Sequence, residues 1–145
     1  HDCSFRLGKS KKTGILRKGV RRYEAGGRMS LGFENLQVWK RSVDLSVQIY
    51  KHFKKCNDYS FTSQITRSSL SIPSNISEGY ERESLKDKNR FYTIAKGSAG
   101  ELRTQILIGV KIGYIDKDLG DKWTNETREL SAMLVGLIKS NAKKL

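Results

Sequence analysis

Apolar residues recur at steps of three and four along four separate stretches of this chain, and this periodicity most constrains its fold. Such steps place side chains on one side of an α-helix, whereas a half-buried strand would alternate with a period of two. No alternation of any length is present. Because the connections between consecutive stretches are short, neighbouring helices should run antiparallel. The sequence therefore predicts an all-α fold, an antiparallel up-down-up-down four-helix bundle.

Each stretch has a predicted start and a predicted core face. N-caps are expected near Asn35 for the first helix, at Asn57 or Asp58 for the second and at Ser84 for the third. The third helix should end at Gly113. The predicted core residues are Leu36, Trp39, Val43, Val47, Tyr50 and Phe53 on helix one; Phe61, Ile65, Ser69, Ile72, Ile76 and Tyr80 on helix two; Phe91, Ile94, Ala95, Ser98, Leu102, Gln105, Ile106, Gly109 and Ile112 on helix three; and Trp123, Thr127, Leu130, Leu134, Leu137, Ile138 and Leu145 on helix four.

The segment SIPSNISEGYER, residues 71–82, holds the only proline of the chain. Proline and glycine are the residues that a helix interior tolerates least, so the segment is either a loop between two helices or one kinked helix. A loop would reset the apolar phase, and the phase of helix two runs through Pro73 unchanged. The sequence therefore predicts one helix, kinked at Pro73, with Gly79 near its end.

Two groups of small or polar residues suggest contacts between helices. The polar set lies on one side of helix two, with a further carboxylate on helix three: Gln64, Arg67, Ser71, Asn75, Glu78, Arg82 and Glu101. We interpret it as a structural polar seam, since amides, hydroxyls, Arg and Glu suit interhelical hydrogen bonds; a ligand-contact surface is the alternative. The small set, Gly97 to Gly100, would let another helix approach closely.

The charge of the chain is strongly positive, with 28 Lys and Arg against 15 Asp and Glu and a net charge of +13. Such an excess favours an anionic partner, RNA or DNA before an anionic membrane, although solubility alone is an alternative. Residues 1–30 carry nine bases and two acids, and their apolar residues are too scattered to form a face. We therefore divide the chain into a basic segment, 1–30, dispensable for folding, and a bundle domain, 31–145. The segment is either a basic arm that contacts nucleic acid or, as we favour, upstream-translated sequence before a natural start at Met29.

The candidate nucleic-acid contacts are basic residues on the predicted outer faces of two helices. They are Lys40, Lys51 and Lys55 on helix one, and Lys86, Arg90, Lys96, Arg103 and Lys111 on helix three. Distributed lysine and arginine read backbone phosphate, so binding should depend on salt and select weakly for sequence.

Enzymatic chemistry lacks its usual residues. The two histidines, His1 and His52, form no Glu-x-x-His pair or zinc spacing, and no phosphate-binding loop is present. We expect no enzyme, no metal and no cofactor. No run approaches the ~18 apolar residues that span a membrane. Cys3 and Cys56 form no paired motif, so we predict free thiols in a reducing cytoplasm.

Four segments carry a family resemblance: FENLQVWKRSVDLSVQIYK, QITRSSLSIPSNISEGYER, FYTIAKGSAGELRTQILIG and GYI. In this order they resemble the small four-helix bundle proteins encoded in intervening sequences of bacterial 23S ribosomal RNA genes. The family includes the accessory variability determinant proteins of diversity-generating retroelements. The resemblance covers residues 33–145 and leaves residues 1–28 without a counterpart.

The resemblance implies an up-down bundle that assembles into a homopentamer with a positively charged surface and has no enzymatic activity. Retroelement members bind nucleic acid and a reverse transcriptase. Two hypotheses follow. The chain is a nucleic-acid-associated bundle that binds RNA or DNA, or it is an oligomeric scaffold that docks a protein such as a reverse transcriptase.

Overall fold

The computed structural model describes residues 32–145, which form four α-helices packed against each other. A short 3-10 helix, Phe33–Asn35, precedes them. The α-helices are α1 (Gln37–Phe53), α2 (Tyr59–Glu81), α3 (Leu85–Lys111) and α4 (Lys117–Ala142). No strand occurs between residues 32 and 145, and the predicted all-α class is confirmed. Residues 1–31, with the predicted boundary of the bundle domain, lie outside the described part.

Local sequence fixes the helix starts. Asp58, Ser84 and Asp116 each accept a hydrogen bond from the backbone amide three residues on, which satisfies a free N–H of the first turn. The prediction for Asn35 is wrong, because Asn35 belongs to the 3-10 helix and Leu36 occupies the N-cap without a side-chain bond. After α3 the chain turns at Gly113, whose φ of 81° favours glycine.

Helix α2 passes through Pro73 without interruption, so the prediction of one helix is confirmed. Pro73 is buried, between the fully buried Ile72 and Ile76 of the core. Proline cannot donate to the carbonyl of residue 69. The hydroxyl of Ser69 donates to the carbonyl of Thr66 and shares a hydrogen bond with Ser46 of α1. The kink itself stays a prediction.

The core follows the predicted stripes on α2 and on most of α3 and α4. Exceptions are Ile94 and Ile112, which are 43% and 48% exposed, and Leu145 at the end of the chain. On α1 the predicted face was wrong in part, because Val47 and Tyr50 are exposed. The buried residues of α1 are Val38, Ser42, Leu45, Ser46, Ile49 and Phe53.

Consecutive helices pack as neighbours, and α4 also contacts α1. The end of α2 meets the start of α3, where a Cβ on Gly79 would lie 2.9 Å from Tyr92. The start of α3 meets the end of α4, since Asn89 donates to the carbonyl of Ile138 at 3.1 Å. Such contacts are those of antiparallel pairs; the up-down order of all four helices stays a prediction.

Two expectations about single residues were wrong. Cys56 is disulfide-bonded, not a free thiol, so the argument for a reducing compartment loses its basis at this residue. Cys3 lies outside the described residues. Among the small residues of α3, Ser98 and Ala99 are buried, but a Cβ on Gly97 or Gly100 would meet nothing within 4 Å. No other helix of the described chain approaches these two glycines.

A search of residues 32–145 found no helix long and apolar enough to cross a membrane.

Candidate nucleic-acid interface

Several of the predicted cations lie on the flank of α3 that adjoins α4. Asn89 hydrogen-bonds to Ile138 and to the side chain of Asn141, and Val110 packs against Gly120. Lys96 and Arg103 stand between these two contacts at intervals of seven residues, so they lie on the same flank of the helix. Lys111 adjoins Val110 and is exposed. The structure thus brings together Lys96, Arg103 and Lys111 of the predicted set.

Helix α4 adds three cations that sequence analysis missed. Lys117, Arg128 and Lys139 are exposed and follow each other at intervals of 11 residues. Eleven residues make slightly more than three full turns, so the three side chains share a flank. Arg128 lies one turn after the buried Thr124, so this flank borders the buried side of α4. This interval of 11 is the signal that could have identified them. Lys117 is bonded to Asp121 at 3.0 Å.

We call the surface formed by Lys96, Arg103, Lys111, Lys117, Arg128 and Lys139 the α3/α4 basic face. Asp121 is the acidic residue on these two flanks. Apart from Lys117, the cations of this face make no ion pair with any residue between 32 and 145. The face therefore keeps at least five uncompensated charges, which attract an anionic polymer.

The remaining predicted contacts on α3 lie at its start and have other neighbours. Arg90 is 3.8 Å from Asp87, and its guanidinium lies 4.7 Å from the centre of the Phe91 ring. Arg82 covers the same ring at 4.7 Å. Lys86 is exposed. Arg90 therefore points toward α2, away from the α3/α4 basic face.

The predicted contacts on α1 border a surface with acids. Lys40 and Lys51 are exposed and share a stripe of α1 with Gln48, which accepts a bond from the Trp123 indole at 3.0 Å. Lys55 is also exposed, but it lies in the turn after α1, which ends at Phe53. Asp44 lies on the same stripe. Lys40 and Lys51 thus lie near the junction of α1 with α4, beside the acid Asp44, and none of the three lysines makes an ion pair with a residue between 32 and 145.

A cleft of about 220 Å³ opens at this junction, lined by Arg41, Asp44, Leu45, Gln48, Lys122, Trp123 and Glu126. Arg41 bonds Glu126 through two nitrogens, at 2.7 and 2.9 Å, and also contacts Glu129. The hydrogen bonds that Arg41 donates, first to Glu126 and then to Glu129, raise the pKa of Arg41 above its ordinary value. The guanidinium of Arg41 thus links α1 to α4 through these two glutamates. Within residues 32–145 no group of three His, Cys, Asp or Glu side chains is arranged to hold a metal ion.

Part of the predicted polar seam lies at the junction of α2 and α3. Ser71 and Ser98 share a hydrogen bond at 2.8 Å, and Asn75 donates to Ser71 at 2.9 Å.

Further bonds extend the same junction. Gln105 contacts Ser68 of α2 and donates to Glu101 at 3.4 Å, while Arg82 pairs with Glu78 within α2. The other two predicted members, Gln64 and Arg67, are exposed. The contacts between helices at this junction thus involve Ser71 directly and Glu101 through Gln105.

Beside this junction, α3 exposes an apolar stripe. Ile94, Ile108 and Ile112 are 43%, 45% and 48% exposed and fall on one flank with Gln105, which faces α2. Gly97 lies on the same flank, as does the exposed Glu101, seven residues after Ile94 and seven before Ile108. We call Ile94, Ile108 and Ile112 the isoleucine stripe. Its position differs from that of the α3/α4 basic face, which occupies the opposite flank of α3.

A solved structure shares this fold. The chain is similar to a crystal structure of a protein of unknown function from the S23 ribosomal protein family of Bacteroides thetaiotaomicron. The two are 25% identical with a TM-score of 0.67, over 70% of this chain and 98% of the other. No curated protein matches the chain. The family model described as 23S rRNA-intervening sequence protein matches residues 34–136, from the 3-10 helix to the second half of α4. The chain therefore belongs to the family of 23S rRNA-intervening sequence proteins.

Proposed function

We propose that the protein is a non-enzymatic, homo-oligomeric bundle that associates with RNA or DNA in the cytoplasm through its α3/α4 basic face. The observation that carries this proposal is the set of five cations on that face without an acidic partner in the described chain. A family named for an intervening sequence of ribosomal RNA makes RNA a natural ligand.

The physical basis is release of counterions from the nucleic acid. Each phosphate that a lysine or arginine neutralises contributes about −0.9 to the slope of log affinity against log salt for duplex DNA, and about −0.7 for a single strand. Exposed cations without base-reading side chains bind phosphate of any sequence. We therefore expect tight binding at low salt and weak selectivity.

A pair of matched triple variants tests the face. Replacing Lys96, Arg103 and Lys111 by Glu should weaken nucleic-acid binding by at least about tenfold at low salt, since three attractive charges become repulsive. Replacing Lys40, Lys51 and Lys55 by Glu changes the net charge equally but at the junction with acids, and should weaken binding much less. Fluorescence anisotropy with a labelled RNA measures both.

Residues 1–30 are the same in both triple variants, so any affinity of that basic segment contributes equally. Circular dichroism should show an intact helical fold in each, because substitutions on an exposed face cost under about 0.5 kcal/mol. Equal losses in the two variants would show that net charge, not the α3/α4 basic face, governs the binding.

Self-association is proposed to use the isoleucine stripe. Three isoleucines nearly half exposed on one helix flank are a surface that burial against another copy would stabilise. The flank also carries Gly97, whose missing side chain leaves room for close approach of a helix. The family resemblance implies five copies.

A second candidate function is a scaffold that docks another protein, such as a reverse transcriptase. The observation that favours it is a further apolar patch where α1 meets α2. Val47, Tyr50 and Leu70 are 45%, 44% and 48% exposed there. Val47 and Leu70 directly follow Ser46 and Ser69, which bond each other at 3.0 Å. Absence of any nucleic-acid binding at low salt would favour this function.

A further inference from the structure

We propose that the α3/α4 basic face receives double-stranded nucleic acid, with one row of its cations on each of the two phosphate backbones. This inference rests on the proposed function and specifies its ligand.

The cations of the face form two rows on neighbouring helices. Lys96, Arg103 and Lys111 extend over about 22 Å of α3, and Lys117, Arg128 and Lys139 over about 33 Å of α4, at 1.5 Å per residue. Packed helix axes lie about 8–10 Å apart. A single strand presents one line of phosphates and can follow one row. A duplex presents two lines that border a groove, and can neutralise both.

Between and beside the rows, the described chain offers no freely exposed aromatic ring on which an unpaired base could stack. Tyr114, between Lys111 and Lys117, is only partly exposed, packs edge-on against Phe61 and donates its hydroxyl to Asp58. Single-strand sites hold bases against exposed aromatic rings. The aromatic residues of α3 and α4 are Phe91, Tyr92 and Trp123. Tyr92 and Trp123 are only 4% and 2% exposed, and the Phe91 ring is covered by two arginines on the side toward α2. The face thus favours a ligand whose bases are already paired.

Gly100 gives the face a point of close approach. It lies one turn after Lys96 and three residues before Arg103, and a Cβ there would meet nothing within 4 Å. Glycine inside a helix costs about 1 kcal/mol relative to alanine, and no neighbouring element of the described chain requires it here. An incoming sugar-phosphate backbone would benefit from the missing side chain.

The test compares a DNA duplex with its own strands on the full-length chain. The α4 row spans about ten base pairs, so a duplex of about 20 base pairs suffices. We expect the duplex to bind about tenfold or more tightly than either unpaired strand at equal salt. Equal or tighter binding of a single strand would overturn the inference while leaving the proposed function standing.

Two neutralising variants then separate the rows. One replaces Lys96, Arg103 and Lys111 by Gln, and the other replaces Arg128 and Lys139 by Gln. Each should weaken duplex binding and make the salt slope shallower by about 0.9 per cation removed. The control replaces Lys40, Lys51 and Lys55 by Gln and should leave the duplex slope nearly unchanged.

Loss of duplex affinity in only one of the two row variants would overturn the proposed two-row contact. Failure of the unmodified chain to bind either form of nucleic acid would overturn the proposed function itself, together with this inference. Residues 1–30 are common to all variants and cancel in the comparison.

Discussion

Gly79 and Gly136 both lie within helices, but the space around their Cα atoms differs. A Cβ on Gly79 would lie 2.9 Å from the Tyr92 ring and 3.1 Å from the backbone oxygen of Lys88, so the residue allows α2 and α3 to meet. A Cβ on Gly136 of α4 would meet nothing within 4 Å. Neither residue has a positive φ. Their effect on stability is therefore decided by space alone.

Alanine substitutions should have opposite signs at these two positions. Gly79→Ala should destabilise the fold by about 1–3 kcal/mol, because a backbone oxygen cannot yield to the new methyl group. Gly136→Ala should stabilise it by about 0.5–1 kcal/mol through the lower entropy of the unfolded chain. Urea denaturation followed by circular dichroism measures both. A stabilising Gly79→Ala would mean that α2 and α3 are less closely packed than the structure has them.

Helix caps could be predicted from the sequence, because one side chain makes the capping hydrogen bond. The caps Asp58 and Ser84 were predictable because their oxygens satisfy local amides. On α1 the same reasoning chose Val47 and Tyr50 for the core, although both are exposed. The buried face of α1 includes Ser42 and Ser46, which hydropathy does not count, and each finds a hydrogen-bond partner inside the bundle. Periodicity alone could not rank the two stripes.

At the level of helices, Asp58 joins the start of α2 to the connection between α3 and α4. Its carboxylate caps α2 by accepting from the Phe61 amide at 3.1 Å, and it accepts from the Tyr114 hydroxyl of the α3–α4 connection at 2.8 Å. The Phe61 amide and then the Tyr114 hydroxyl lower the pKa of Asp58 below its ordinary value of 3.8. The charged form thus contributes stability above the pKa of the unfolded chain, and this contribution is lost as pH falls through the lower pKa of the folded state.

Asp58→Ala should therefore be less stable than the unmodified chain at neutral pH, and the difference should shrink in acid below 3.8. Thermal unfolding at a series of pH values measures this. Tyr114→Phe is the control, since it removes the hydroxyl but keeps the cap, and it should lose part of the same stability. A difference between Asp58→Ala and the unmodified chain that does not vary with pH would contradict the assigned hydrogen bonds.

Helix α2 shows what an element's sequence could and could not reveal. Continuity through Pro73 was predictable, because the apolar phase from Ile65 to Ile76 is unbroken and all these positions are buried. The hydrogen-bond partners of the polar side chains of α2 could not be predicted. The sequence predicted a polar side on α2, but not that the hydroxyl of Ser71 would pair with that of Ser98, nor that Ser68 would contact Gln105. Hydroxyl pairs of this kind depend on the distance between helices, which no spacing along one helix reveals.

For the molecule as a whole, the net charge of +13 was countable but its distribution was not. Arg41 and Lys117 are neutralised by acids that are remote or on the following turn. Five cations without an acidic partner in residues 32–145 lie where α3 and α4 adjoin, and half of the α3/α4 basic face comes from α4, whose cations sequence analysis did not select. Packing of two helices, each with a sparse row of cations, creates a density of charge that neither row has alone.

The whole molecule is also proposed to use opposite flanks of α3 for two purposes, and adjacent residues separate them. Ile108 lies on the isoleucine stripe and is 45% exposed, while Leu107, 47% exposed, lies between Arg103 and Lys111 on the α3/α4 basic face. Ile108→Asp should therefore shift the protein toward monomers in sedimentation velocity, because it places a charge in the proposed contact between copies. Leu107→Asp should leave the oligomer intact and weaken nucleic-acid binding, since it adds an acid among the cations.

The same substitution in neighbouring, equally exposed positions controls for effects on folding. Both variants should keep the helical content and nearly the stability of the unmodified chain, as expected for changes on an exposed surface. If Leu107→Asp dissociated the oligomer and Ile108→Asp did not, the two flanks would have been assigned the wrong way round. If the unmodified chain were a monomer, the proposed self-association through the isoleucine stripe would be wrong.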